Sequence, residues 1–135
     1  MKLLIDGNIL LDVLQKREPH YEDSARVWKM CETDLAEGCV SALSFANLVY
    51  VMRKEMAPEL ISEVLSKLSL IFSFEDLAAS DLKTAADMQW NDFEYALQAA
   101  TAKRIHADHI VTRNVKDFKK SEVIAITPSE FLERQ

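Results

Sequence analysis

Glycine is scarce in this 135-residue chain, which holds only Gly7 and Gly38. A usage of about 7% would supply roughly nine. Neither GxGxxG nor GxxxxGK can be written with these two positions, so Gly-rich phosphate loops are excluded. A hairpin-rich all-β fold is disfavoured too, since its tight turns need residues at positive φ. Cysteine is equally sparse. Cys31 and Cys39 are too few for a disulfide framework and lie outside CxxC spacing, so both are expected as buried or half-buried thiols in a reducing compartment. His20, His106 and His109 form no HExxH or HxxxH pattern, which argues against a zinc site. Long apolar runs are missing as well. No stretch approaches the roughly 18 apolar residues of a membrane span. Asp6 interrupts the apolar run of MKLLIDGN well before a signal-peptide core is reached. The expectation is a cytoplasmic protein without membrane association.

Basic charge is in deficit. Sixteen Lys and Arg stand against 22 Asp and Glu, a net charge of −6. That total argues against a nucleic-acid partner, because phosphates are contacted by Lys and Arg. The distribution is uneven, however. Residues 101–120 hold six basic groups and two acids, a local +4 that leaves −10 for the remainder of the chain. A basic segment of this kind can face phosphates, and Arg113 and Lys116 are its candidate nucleic-acid-binding residues.

Hydrophobic residues make up 49% of the chain and charged residues 28%, as in ordinary globular domains. No linker, repeat or low-complexity tract divides it, so a single domain over residues 1–135 is expected. Lys2–Ile5 reads as a buried strand closed by Asp6-Gly7-Asn8, and a short helix follows with Ile9, Leu10, Val13 and Leu14 on one face. Tyr21–Glu32 is predicted helical, and Gly38–Ser41 a second strand. Ser41 or Ser44 then opens a helix to about Met56, apolar nearly all round and therefore expected to be buried.

Pro58–Leu68 is predicted helical with Leu60, Ile61, Val64, Leu65 and Leu68 inward, and Leu70–Phe74 a third strand. Ser80–Gln89 reads as a helix from a Ser cap. Asn91 followed by Glu94 reads as a cap for a small-residue helix to about Ile105. His109–Thr112 and Val123–Ile126 are the last two strands. Thr127-Pro128-Ser129-Glu130 opens a short final helix.

Short strands alternating with helices predict an α/β fold, a three-layer α/β/α sandwich around a short, mostly parallel sheet. In such sheets ligands bind beyond the C-terminal strand ends. Two polar groups fall there. Asp6, closing the first strand, is placed either to hold a divalent metal or to cap the following helix. Thr112-Arg113-Asn114 closes the fourth strand, either as a turn or as part of a site. Asn47 interrupts an apolar stripe, so it faces either a partner in the core or the crevice. Asp92 and Glu94 in a first helical turn are explained by capping and the helix dipole, with Tyr95 one step along.

LIDGNILLDVL, DFEYALQAATAKRIHADHIVTRNVKDF and VIAITPSEFL occur in this order. Together they resemble the motifs of PIN domains, in particular the bacterial VapC-type branch with TRN after the fourth strand. The resemblance spans essentially the whole chain. It implies Mg²⁺- or Mn²⁺-dependent RNA cleavage by about four acidic residues, in which metal-activated water attacks the phosphodiester. It also implies a homodimer neutralised by a cognate antitoxin.

Carried over position by position, Asp6 matches the first acid and Asn8 the Asn after it, while Gly7 replaces the usual Thr or Ser. The other three acids are matched by Asn47, Tyr95 and Asn114, none of which is charged at neutral pH. The resemblance therefore assigns Asp6, Asn114 and Asp117 as candidate catalytic residues. Asp6 and Asp117 are the candidate metal ligands, Asp117 substituting for a missing acid. Asn8, Asn47, Asp92, Tyr95 and Thr112 line the site. A PIN domain that has lost catalysis and binds RNA or a protein is the alternative. A third reading, independent of the resemblance, is a small α/β domain that only dimerises, with helices Tyr21–Glu32 and Pro58–Leu68 as the interface candidates.

Overall fold

The computed structural model describes all residues from Met1 to Gln135. Five strands form one sheet: β1 (Lys2–Ile5), β2 (Glu37–Ser41), β3 (Ser73–Glu75), β4 (His109–Val111) and β5 (Ala125–Ile126). Their order is β3-β2-β1-β4-β5 and every pairing is parallel. Seven helices surround it: α1 (Gly7–Leu14), α2 (Tyr21–Glu32), α3 (Ala42–Met52), α4 (Pro58–Ser69), α5 (Ala79–Met88), α6 (Phe93–Arg104) and α7 (Pro128–Glu133). A single 3-10 turn, Val115–Phe118, follows β4.

The strands are buried on both faces, and their two-residue period sorts side chains into two cores. Leu3, Ile5, Val40, Val111 and Ile126 pack with Ile9, Leu10, Val27, Leu48, Leu68 and Phe131 on one side. Leu4, Cys39, Ile110 and Ala125 face Ala99, Ala102 and Phe118 on the other. These are the layers of an α/β/α sandwich. Small residues decide the second face. Ala96, Ala99, Ala100 and Ala102 let α6 lie close to the sheet, and Ala96 and Leu97 meet Ala85 of α5 on its outer side. Both cysteines are free and buried, and burial pushes their thiols up to about 11 for Cys31 and about 12 for Cys39.

Several sequence expectations are corrected. Helix α3 ends at Met52 rather than near Met56, and its end is solvated: Tyr50 is 67% exposed. Its uniform apolarity does not reflect all-round burial. On α4 only Leu68 is fully buried, whereas Leu60 and Leu65 are exposed. The third strand starts at Ser73, because Leu70 lies in the open link after α4 and is 87% exposed. Ser80 does not cap α5. Asp81 reaches back instead, its Oδ2 accepting from the Ala78 amide at 3.1 Å. Asp92, not Asn91, caps α6 by accepting from the Tyr95 amide at 3.2 Å. The bounds of β1 and α2 and the start of α7 are as expected, with Thr127 accepting from the Glu130 amide.

Candidate functional site

The chain leaves β1 towards β2 on one side and later returns to place β4 on the other, so the ends of β1 and β4 flank a topological switch point. Asp6 stands there. Its backbone amide donates to the Val111 carbonyl at 3.0 Å, continuing the sheet. Its side chain caps α1, Oδ1 accepting from the Asn8 amide at 3.5 Å. The capping reading of Asp6 is thus met in the structure.

Asp6 Oδ2 accepts from the Thr112 hydroxyl at 2.8 Å, and Thr112 Oγ1 accepts in turn from the Asn114 amide at 3.0 Å. Both Asp6 and Thr112 are buried. Burial raises the Asp6 pKa above its ordinary value, against the lowering effect of hydrogen bonds from Thr112, Asn8 and Gln98 and of the Arg113 charge.

Two further pairs close the crevice. Asn114 Nδ2 donates to Tyr95 Oη at 2.9 Å, and the Tyr95 ring meets Phe118 edge-on at 4.9 Å. Asn47 Nδ2 donates to Glu94 Oε1 at 2.7 Å. Between α1, α3 and α6 lies a cavity of about 320 Å³ lined by Asp6, Asn8, Ser44, Asn47 and Glu94. Asn47 is thus half-buried and faces the crevice. Glu94, read from sequence as a capping acid, points across the crevice to Asn47. Desolvation and the nearby Asp92 raise its pKa.

Asp117 is placed otherwise. It lies in a neighbouring groove of about 310 Å³ with Asp92 and Lys116, outside the cavity that Asp6 lines. Arg113 is also drawn away. Its Nε and Nη2 donate to the two oxygens of buried Asp12 at 2.9 and 3.1 Å, and Asp12 Oδ2 accepts from Ser24 as well. The expected phosphate contact of Arg113 gives way to a fork that neutralises a buried carboxylate.

Gln98 was not singled out from sequence. It is 3% exposed beside Asp6, and its Oε1 has no hydrogen-bond partner. Its signal was present, as the one amide in the otherwise small and apolar run Ala96–Ala100.

The family model described as PIN domain matches residues 2–116, so the chain belongs to the PIN domain family. No curated protein sequence matches it significantly. Solved structures are similar in fold. FitAcB from Neisseria gonorrhoeae gives a TM-score of 0.71 at 17% identity, covering 94% of this chain and 98% of that one. VapBC2 from Rickettsia felis, bound to a promoter DNA fragment, gives 0.68 at 18% identity over 94% and 98%. Mycobacterium tuberculosis VapC20, described as a sarcin-ricin loop cleaving toxin, gives 0.69 at 11% identity over 90% and 96%.

The family implies a divalent metal, and the residues present do not fit one. No group of three His, Cys, Asp or Glu side chains is arranged to hold a metal ion. At the matched positions Asn114 and Tyr95 bond each other. The resemblance implies acids at both positions, whereas this pair is uncharged, and Glu94 is the one other carboxylate lining the Asp6 cavity. Mg²⁺ sites need carboxylate charge to offset partial dehydration of the ion.

Proposed function

We propose that this chain is a VapC-type PIN domain, residues 1–135 acting as one domain, that binds a partner at its surface rather than cutting RNA. The observation that carries this reading is the Asn114 to Tyr95 hydrogen bond, a neutral pair where the family pattern has two acids. Glu94 brings one carboxylate towards Asp6, and that carboxylate accepts a hydrogen bond from Asn47. Of the expected catalytic set of Asp6, Asn114 and Asp117, Asp6 and Asp117 line different cavities, with Tyr95 feeling the charge of both.

One similar structure, from Klebsiella pneumoniae, is described as a toxin–antitoxin complex, which supports an antitoxin-like protein as a partner of this chain. A second copy is the other proposed partner. Exposed Leu60 and Leu65 on α4 support a homodimer through that helix, and a cytoplasmic location is part of the same reading.

The test is calorimetric titration with Mn²⁺ and Mg²⁺ beside cleavage of single-stranded RNA, for wild type and Asp6→Ala. No cleavage above the Asp6→Ala background is expected. Metal-dependent cleavage lost in Asp6→Ala would overturn the reading and restore the enzyme.

A further inference from the structure

Arg113 is only partly committed to Asp12. Its Nε and Nη2 donate to the two Asp12 oxygens at 2.9 and 3.1 Å. Nη1 donates to no protein acceptor and is not sealed from solvent. A guanidinium carries its N–H donors in a planar fork, and one edge of the fork serves one carboxylate. The other edge of Arg113 is open. The side chain is 27% exposed, and the residue lines a cavity of about 260 Å³.

That cavity lies where the α1–α2 link, the first turn of α2 and the start of α7 meet beside the end of β4. Pro19 and Pro128 supply ring walls, and His20 and Ser129 supply an imidazole and a hydroxyl. Asp23 lines it as well. Its carboxylate is half-buried and takes part in no ion pair. A guanidinium with spare donors and an unpaired acid thus face one cavity without bridging each other. Neither Asp6 nor Glu94 lines this cavity.

The two charges restrict the ligand. A simple anion would meet Asp23 with like charge, and a simple amine would meet the guanidinium in the same way. A zwitterion satisfies both walls, its carboxylate on the open edge of Arg113 and its ammonium on Asp23. The cavity is smaller than the roughly 300–1,000 Å³ of sites for drug-sized molecules, which keeps the ligand small. The proline rings suit a short side chain. We propose that this cavity binds a free α-amino acid through Arg113 and Asp23. The inference goes beyond the reading of a partner-binding domain and uses neither the Asp6 crevice nor a metal.

The experiment is thermal unfolding of the full chain in EDTA with each of the twenty proteinogenic amino acids, followed by calorimetric titration with the best stabiliser. At about 10 mM, at least one amino acid is expected to raise the melting temperature by about 2 °C or more. Its methyl ester lacks the carboxylate and its N-acetyl form lacks the ammonium. Each is expected to bind at least about tenfold more weakly. Arg113→Ala would leave Asp12 unpaired and unsettle the fold, so the methyl ester reports on Arg113 instead. Asp23→Asn is expected to weaken the free amino acid at least about tenfold and to leave the N-acetyl form unchanged, because its partner is already gone. Glu22→Gln, the same charge change on the neighbouring exposed residue, is expected to bind as wild type does. Ser129→Phe places a ring in the cavity from an exposed position, and is expected to abolish binding with unchanged melting of the free protein.

No stabilisation by any of the twenty overturns the proposal. So does an equal effect of Asp23→Asn on the free and acetylated forms. An ester that binds as tightly as the free acid would assign the cavity to amines, and an N-acetyl form that does so would assign it to carboxylates. Either result overturns the zwitterion. RNA cleavage at Asp6 would sink the non-cutting reading and leave these titrations unaltered.

Discussion

The Asn114 side-chain amide donates to the Tyr95 hydroxyl at 2.9 Å, joining the end of β4 to the first turn of α6 above the Asp6–Thr112 bond. The pair is half-buried and the Tyr95 ring is wedged against Phe118. Two groups that satisfy each other in this way stabilise the fold. Tyr95→Phe removes the acceptor and keeps the ring, so it should cost about 1 kcal/mol in urea denaturation. Asn114→Ala should cost a similar amount. The double variant should show a coupling near 1 kcal/mol, and a coupling within the additivity error of about 0.3–0.5 kcal/mol would mean that the bond is not made in solution.

Restoring the acids tests the same site chemically. The triple variant N47E/Y95D/N114D returns carboxylates to the three matched positions around Asp6. It should show Mn²⁺ binding and RNA cleavage above the wild-type level, and lose both when Asp6→Ala is added. Replacing the Tyr95 ring opens space against Phe118, so a stability loss of roughly 1–3 kcal/mol should accompany the gain. A folded variant that binds no Mn²⁺ would show that the scaffold, and not just the missing charge, has diverged.

Arg113 clamps Asp12, which is 0% exposed. Arg113→Ala leaves that carboxylate buried without its cation, and a loss of about 3–5 kcal/mol is expected. Arg113→Met with Asp12→Leu should recover most of it, since an apolar pair of similar volume carries no buried charge. If Arg113→Ala instead weakened oligonucleotide binding with unchanged stability, the side chain would be a phosphate ligand after all.

These contacts mark the limit of what the sequence shows. The alternation of strands and helices was legible because buried parallel strands and capped helices leave local signals: Leu3 to Ile5 closed by Asp6-Gly7-Asn8, and Thr127-Pro128 opening α7. The crevice was legible through Asp6 and Thr112, which close paired strands. Long-range partners were not. The Arg113 carboxylate lies 101 residues away, and Asn47 reaches Glu94 across 47. No local pattern reports either, so Arg113 read as free and Glu94 as a cap. The apolarity of α3 misled for a different reason, because Tyr50 and Val51 at its end are exposed to solvent.

The Asp6 carboxyl predicts a pH dependence. Its folded-state pKa lies above the ordinary value of 3.8, chiefly because burial disfavours the charged form. The associated stabilisation is fully present below the unfolded value and is lost as pH rises through the folded one. The ionised form of Asp6 is therefore disfavoured in the fold. Asp6→Asn should be the more stable protein near pH 7 in EDTA, and the two melting temperatures should converge as pH falls towards about 4. Equal melting at both ends would show that the Thr112 and Asn8 bonds fully offset the burial.

The two glycines should respond in opposite ways. Neither has positive φ, so space alone decides. A Cβ at Gly38 would stand 2.7 Å from Cys31 Sγ and 2.8 Å from the Phe72 ring, inside a packed core that cannot yield cheaply. Gly38→Ala should destabilise by about 1–3 kcal/mol. A Cβ at Gly7 meets Ser44 at 3.4 Å, an ordinary contact, and sits in the first turn of α1. Gly7→Ala should be neutral or stabilise by up to about 1 kcal/mol through helix propensity. Gly7→Ser, the residue type usual in the family pattern, should be tolerated as well. Matched urea curves check all three, and a destabilised Gly7→Ala would mean that the Ser44 backbone presses closer to α1 than 3.4 Å.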